Sequence, residues 1–139
     1  MTVAGVVLDV SSLVIYAKND LQALPVDELL QELREDTGGA VVIPSWSHAD
    51  ALLVLDGDKT ATDRLWSLSD THGVVPPSPD VQAVVDLIVN ESAVSQGMAH
   101  AMVLSAQRDW HLATYSASTL ERVGFAQRLI LDLDQLFRD

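Results

Sequence analysis

Cysteine is absent from this chain, which removes both a disulfide framework and a thiolate metal site and leaves packing to hold the fold. Cations are scarce: 8 Lys and Arg stand against 20 Asp and Glu, a formal net charge of -12. Affinity for nucleic acid depends on cations that neutralise phosphates, so the surface as a whole disfavours RNA and DNA, whereas it suits a basic protein partner. Arg64, Arg108, Arg122 and Arg128 are the few candidates for a local basic patch; each also reads as a solvated or ion-paired surface residue. No apolar run approaches the roughly 18 residues that span a bilayer, and no basic segment with a small-residue cleavage site opens the chain. A soluble cytoplasmic protein with no membrane contact is expected. Gly38-Gly39 lacks the lysine and later glycines of a phosphate loop or nucleophile elbow, and no two of the four histidines have the i, i+4 spacing of a helical zinc motif.

What is present suits one domain over residues 1–139, since the length and the 48% hydrophobic content support a single core. Val3 to Leu8 reads as a short, continuous, β-branched buried strand. Asp9 leaves its end and is followed by Ser11-Ser12, which open a helix through about Lys18. A carboxylate at the C-terminal end of a parallel strand is where an open α/β sheet places working groups; it is equally where a helix takes its cap. Val26 to Leu33 has the apolar spacing of an amphipathic helix, ended by Gly38-Gly39. Ala40 to Ile43 is a second strand, with Pro44 in the first turn of a helix carrying Trp46, His48, Asp50, Leu52 and Leu53.

Further on, Asp58 to Leu68 reads as a helix, Val74-Val75 as a short strand, and Asp80 to Val89 as a helix begun by Ser78-Pro79-Asp80. Gly97 to Gln107 is a helix of small residues suited to close packing. Trp110 to Thr114 and Arg128 to Leu133 read as strands around a short helix, Ser118 to Val123. Such alternation predicts an α/β fold: an open parallel sheet of about five strands covered by helices on both faces.

Four blocks along this pattern resemble the PIN domain, the family that includes the VapC-type toxins of toxin-antitoxin pairs. Val6-Val7-Leu8-Asp9-Val10-Ser11-Ser12-Leu13 is similar to its opening strand and first acid. Ile43-Pro44 with Asp50-Ala51 resembles its second block, where the acid is usually glutamate. His100-Ala101 with Ala106 resembles the third, where His100 replaces an aspartate, and His111 to Ser116 resembles the fourth, where Ser116 takes the place of a further acid after Thr114. The order and spacing of all four blocks agree over nearly the whole chain.

The resemblance implies a metal-dependent endoribonuclease, in which Mg²⁺ or Mn²⁺ held by clustered carboxylates activates a water for attack on a phosphodiester. Such cations want oxygen ligands, and clustered carboxylates raise one another's proton affinity without them. It also implies Asp9, Asp50, His100 and Ser116 as the catalytic positions, with Asp9 and Asp50 as metal ligands and Ser11, Ser12 and Thr114 beside them. Two of the four acidic positions are replaced. Asp50 is one methylene shorter than glutamate, the imidazole of His100 suits Mn²⁺ or Zn²⁺ better than Mg²⁺, and Ser116 is neutral. Metal binding is expected to be weak or absent.

The remaining residues with suitable chemistry read otherwise. Asp56, Asp58, Asp63 and Asp109 are helix caps or solubilising charges, Asp80 is a cap, and His48 lies off the face that carries Asp50. His100 itself reads either as a site residue or as a core histidine bonded to backbone. Trp46, Trp66, Leu52 to Leu55, Leu65 and Leu68 form either core or an interaction surface; the family is commonly dimeric and is blocked by an antitoxin segment, which implies a homodimer and an antitoxin-like partner. Three functions follow: a decayed nuclease acting as a binding or regulatory scaffold, a working Mg²⁺/Mn²⁺-dependent ribonuclease, and a small-molecule or response-type domain sharing only the strand order.

Overall fold

The computed structural model describes residues 5–35, 40–77 and 81–135. Four parallel strands, β1 (Gly5–Leu8), β2 (Ala40–Val42), β3 (His111–Thr114) and β4 (Ile130–Asp132), pair in the order β2-β1-β3-β4. Their all-parallel pairing needs a crossover between each strand and the next. Seven helices supply these among the described residues: α1 (Val10–Lys18), α2 (Leu24–Glu35), α3 (Ser45–Val54), α4 (Lys59–His72), α5 (Val81–Asn90), α6 (Gln96–Arg108) and α7 (Ala117–Arg122). None of these helices is long and apolar enough to cross a membrane.

Side-chain alternation along β1 divides the core into two layers. Val6 and Leu8 face one cluster with Leu13 of α1, Val26 and Leu29 of α2 and Leu65 of α4. Val7 faces the other with Val84 of α5, Met98 to Leu104 of α6 and Leu120 of α7. Both faces of the sheet are thus covered, and β1 is buried throughout, as a central parallel strand requires.

The expected fifth strand at Val74-Val75 is reduced to one residue. Val75 donates its N–H to the Ile43 carbonyl at 2.9 Å and accepts the Ser45 N–H at 2.8 Å, a single parallel bridge to Pro44 beside the edge of β2. Pro76 and Pro77 follow and have no N–H to extend the ladder, so the sheet has four strands rather than about five. Helix limits differ by a few residues: α1 is capped by Asp9, not opened by Ser11 or Ser12, and α2 begins at Leu24 with Pro25 in its first turn. Val3, Ala4, Gly38, Gly39, Ser78, Pro79 and Asp80 lie outside the described residues.

α6 is the innermost helix, buried from Gly97 through Ser105, as a helix apolar on all sides must be. Its start is wedged between α1 and α3. A Cβ on Gly97 would stand 2.6 Å from Val10 Cγ2, 2.7 Å from Asp50 Oδ2 and 2.9 Å from Ser47 Cα. The last of these is backbone and cannot swing aside. Gly97→Ala is expected to cost about 1–3 kcal/mol through overpacking, read as a lower midpoint in urea denaturation with an unchanged slope.

Candidate functional site

The strand order reverses direction between β1 and β3, because the chain proceeds from β1 outward to β2 and then returns to the other side of β1. In open parallel sheets the crevice at such a reversal, outside the carboxyl ends of the strands, is the usual ligand site. Register places Leu8 beside Ala113, so the next residues, Asp9 and Thr114, meet there. Thr114 Oγ1 donates to Asp9 Oδ2 at 2.6 Å. Ser11 Oγ (2.7 Å) and the Ser12 N–H (2.9 Å) both donate to Asp9 Oδ1.

The serines and threonine extend this contact into a seam between α1 and β3. Ser12 Oγ donates to the Ala113 carbonyl at 2.5 Å, Ser11 Oγ accepts the Tyr115 N–H at 2.9 Å, and Thr114 Oγ1 accepts the Ser116 N–H at 2.8 Å. Ser11 Oγ and Thr114 Oγ1 lie 3.3 Å apart; with each proton already given to Asp9, that separation is a contact rather than a further bond. Burial pushes the pKa of Asp9 above its ordinary value, and the donations from Thr114, Ser12 and Ser11 oppose the rise.

Asp50 and His100 are engaged elsewhere. Asp50 Oδ2 accepts the Gly97 N–H at 2.8 Å, at the N-terminus of α6, where Ser95 Oγ accepts the Met98 N–H at 3.1 Å. Ser47 completes this junction by donating Oγ to the Gly97 carbonyl at 2.6 Å. His100, a turn deeper in α6, accepts the Trp46 N–H on Nδ1 at 3.3 Å and meets the Trp46 ring edge-on at a centroid distance of 5.7 Å. Pro44, at the N-cap of α3, has no side-chain acceptor for that helix, and the imidazole takes its place. A proton then sits on His100 Nε2, which is buried and turned toward the Pro76 carbonyl without reaching full hydrogen-bond geometry. Burial lowers the His100 pKa, and the Pro76 carbonyl opposes that shift.

Asp9, Asp50 and His100 thus act alike, in that each accepts a backbone N–H from the first turn of a helix, α1, α6 and α3 respectively. Ser116 precedes α7 but makes no such bond with its side chain; instead it faces a cleft of about 400 Å³ with Ser11, Ser95, Met98 and Thr119. Among the described residues, no charged side chain lines that cleft. The hydrogen-bonded seam joins Asp9, Ser11, Ser12, Thr114 and Ser116, and includes neither Asp50 nor His100.

This donor set does not fit Mg²⁺ or Mn²⁺. A carboxylate offers about four acceptor directions, and three of those on Asp9 are filled at a position without solvent exposure. Asp50 has one oxygen committed, and among the described residues no three of His, Asp and Glu converge as a metal group would. Ser47, Ser95 and Gly97 are the participants that sequence reasoning missed. A serine two residues before Gly97, just ahead of a helix of small residues, is a signal for the Ser95 cap, whereas no local pattern marks Ser47.

Other residues hold the roles expected of surface charges. Asp58 caps α4 through the Ala61 N–H, Asp63 pairs with Lys59, and Asp109 pairs with Arg128. Arg64 pairs with Asp27 and lies over the Tyr16 ring. His48 is buried and edge-on to Trp66 at 4.7 Å. The apolar set on α3 and α4 divides: Leu55, Leu65 and Leu68 are core, while Leu53, Val54 and Trp66 are exposed.

Two measurements follow from this geometry. Thr114→Val removes the donor to Asp9 and the acceptor of the Ser116 N–H, and is expected to cost about 1–3 kcal/mol while raising the Asp9 pKa further in a carboxyl-carbon NMR titration. Because the folded-state pKa of Asp9 is raised, its contribution to stability is present at low pH and is lost as pH rises through that value. The lowered pKa values of His48 and His100 act in the opposite sense. Their contribution is lost as pH falls through the ordinary histidine range, so melting temperature should fall there, and less steeply in His100→Gln. Neither family models nor curated proteins match the chain.

Proposed function

We propose that this chain is a PIN-like domain, similar to VapC toxins, whose acidic positions have passed from metal chemistry to holding helices, and that it acts by binding rather than by efficient RNA cleavage. The observation that carries this reading is the commitment of Asp9, Asp50 and His100 to helix N-termini, with a neutral Ser116 at the fourth position. A formal charge of -12 and the uncharged cleft argue in the same direction, because neither attracts a phosphodiester. The partner is a protein of basic character, antitoxin-like in that respect, and the setting is cytoplasmic. Self-association into a homodimer is supported by the exposed apolar residues Val81, Val85 and Val89, spaced by four along α5.

One observation favours the second reading, a working Mg²⁺- or Mn²⁺-dependent ribonuclease: Asp9 stands at the crevice where open α/β sheets do chemistry, with one acceptor direction left on Oδ2. Incubating the protein with structured RNA and either cation, beside Asp9→Asn, separates the two. The binding reading expects no cleavage and no cation-dependent rise in melting temperature, since a ligand of the folded state alone must stabilise it. Cleavage by the wild type that vanishes in Asp9→Asn would establish the nuclease instead.

A further inference from the structure

A second groove, of about 340 Å³, lies beside the strand-end crevice at the same carboxyl end of the sheet, between the start of α2 and the residues that follow β3 and β4. Leu21, Leu24, Tyr115 and Leu133 supply its apolar and aromatic lining, and Glu28 and Asp134 stand in its wall. Leu21 is 84% exposed and Leu24 53%, an unfavourable placement for neighbouring leucines unless something covers them. Nothing in the local sequence forces it, because the short 3₁₀ turn Leu21–Ala23 is already held by the Asp20 cap and by the Tyr115 hydroxyl, which donates to the Gln22 carbonyl at 2.6 Å.

The charge around the groove says what would cover it. Among the described residues no Lys, Arg or His lines it, and the adjoining surface of α2 adds Asp27 and Glu32. Asp27 is paired with Arg64, but Asp20, Glu28 and Asp134 make no ion pair among the described residues. The field reaches the Tyr115 hydroxyl, whose pKa is pushed up to about 12 by burial first and then by Asp134, Asp27 and Asp20. Exposed leucines beside acids that make no ion pair among the described residues disfavour an RNA backbone and match a chain that carries both leucines and cations. We infer that this groove docks a basic, leucine-bearing segment of a partner protein, with apolar side chains seated on Leu21 and Leu24 and Lys or Arg paired to Glu28 and Asp134. The inference rests on reading the chain as a binding domain and gives that reading a location.

The test titrates the ¹⁵N-labelled full chain, at physiological ionic strength, with a synthetic peptide alternating leucine and lysine, beside the same peptide with glutamate for lysine. Saturable shifts confined to the amides around Leu21, Glu28, Tyr115 and Asp134 are expected from the lysine peptide alone. Leu24→Ser, and separately Glu28→Lys with Asp134→Lys, should each weaken its binding about tenfold or more, whereas Val74→Ser, at an exposed position outside the groove, should leave it unchanged. All of these positions are on the surface, and a dispersed spectrum verifies the fold of each variant. Shifts spread over the acidic surface without saturation, equal binding of the glutamate peptide, insensitivity to both groove variants, or movement of the same amides by single-stranded RNA would each overturn the proposal. RNA cleavage by the wild type bears on the function proposed above and does not alter this peptide result, so the two can fail independently.

Discussion

Backbone N–H groups at helix starts must find acceptors, and the topology of this protein gathers several such starts at one end of the sheet. Three of the four parallel strands run upward, turn, and deliver a helix whose first N–H groups lack partners within the helix. β1 leads into α1, β2 into α3 and β3 into α7, while α6 arrives at the same end from α5. A protein built this way needs oxygen or nitrogen acceptors there whether or not it performs any reaction. Asp9 meets the requirement at α1, Asp50 and Ser95 at α6, and His100 at α3.

That constraint explains why the pattern of acids was readable and its purpose was not. A metal site and a set of caps both ask for carboxylates at the ends of parallel strands, so the residues Leu8-Asp9 followed by two serines satisfy either demand. The difference lies in where the other side chains point. Ser11, Ser12 and Thr114 turn their protons toward Asp9 or the β3 backbone, and that direction depends on β1 and β3 being neighbours, 105 residues apart along the chain for the Thr114–Asp9 bond. His100 is the sharper case. Its role beside Trp46 exists because Pro44 cannot cap α3, a relation between distant segments that no local spacing expresses.

The fold was more legible because its signals are local. Val6, Val7 and Leu8 are buried on both sides, as a continuous apolar run implies, and the small residues of α6 allow it to lie beneath α3. The exception was Val74-Val75, whose β-branched side chains suggest a strand while Pro76 and Pro77 withhold the donors needed to build one. Only the Val75 bridge forms, so backbone hydrogen-bonding capacity outweighed side-chain preference.

The proposed binding role draws on how acidity is distributed around the carboxyl end of the sheet. No charged side chain among the described residues lines the strand-end cleft, and Asp9 beneath it is buried and hydrogen-bonded; at the groove beside α2 the exposed Glu28 and Asp134 stand next to exposed leucines. A buried carboxylate that already holds its donors contributes chiefly to its own helix, whereas an exposed one without a counter-ion shapes the potential that an approaching partner meets. Asp9 has three of its acceptor directions filled inside the protein, whereas Glu28 and Asp134 make no ion pair among the described residues, and it is these two that the proposed partner would meet.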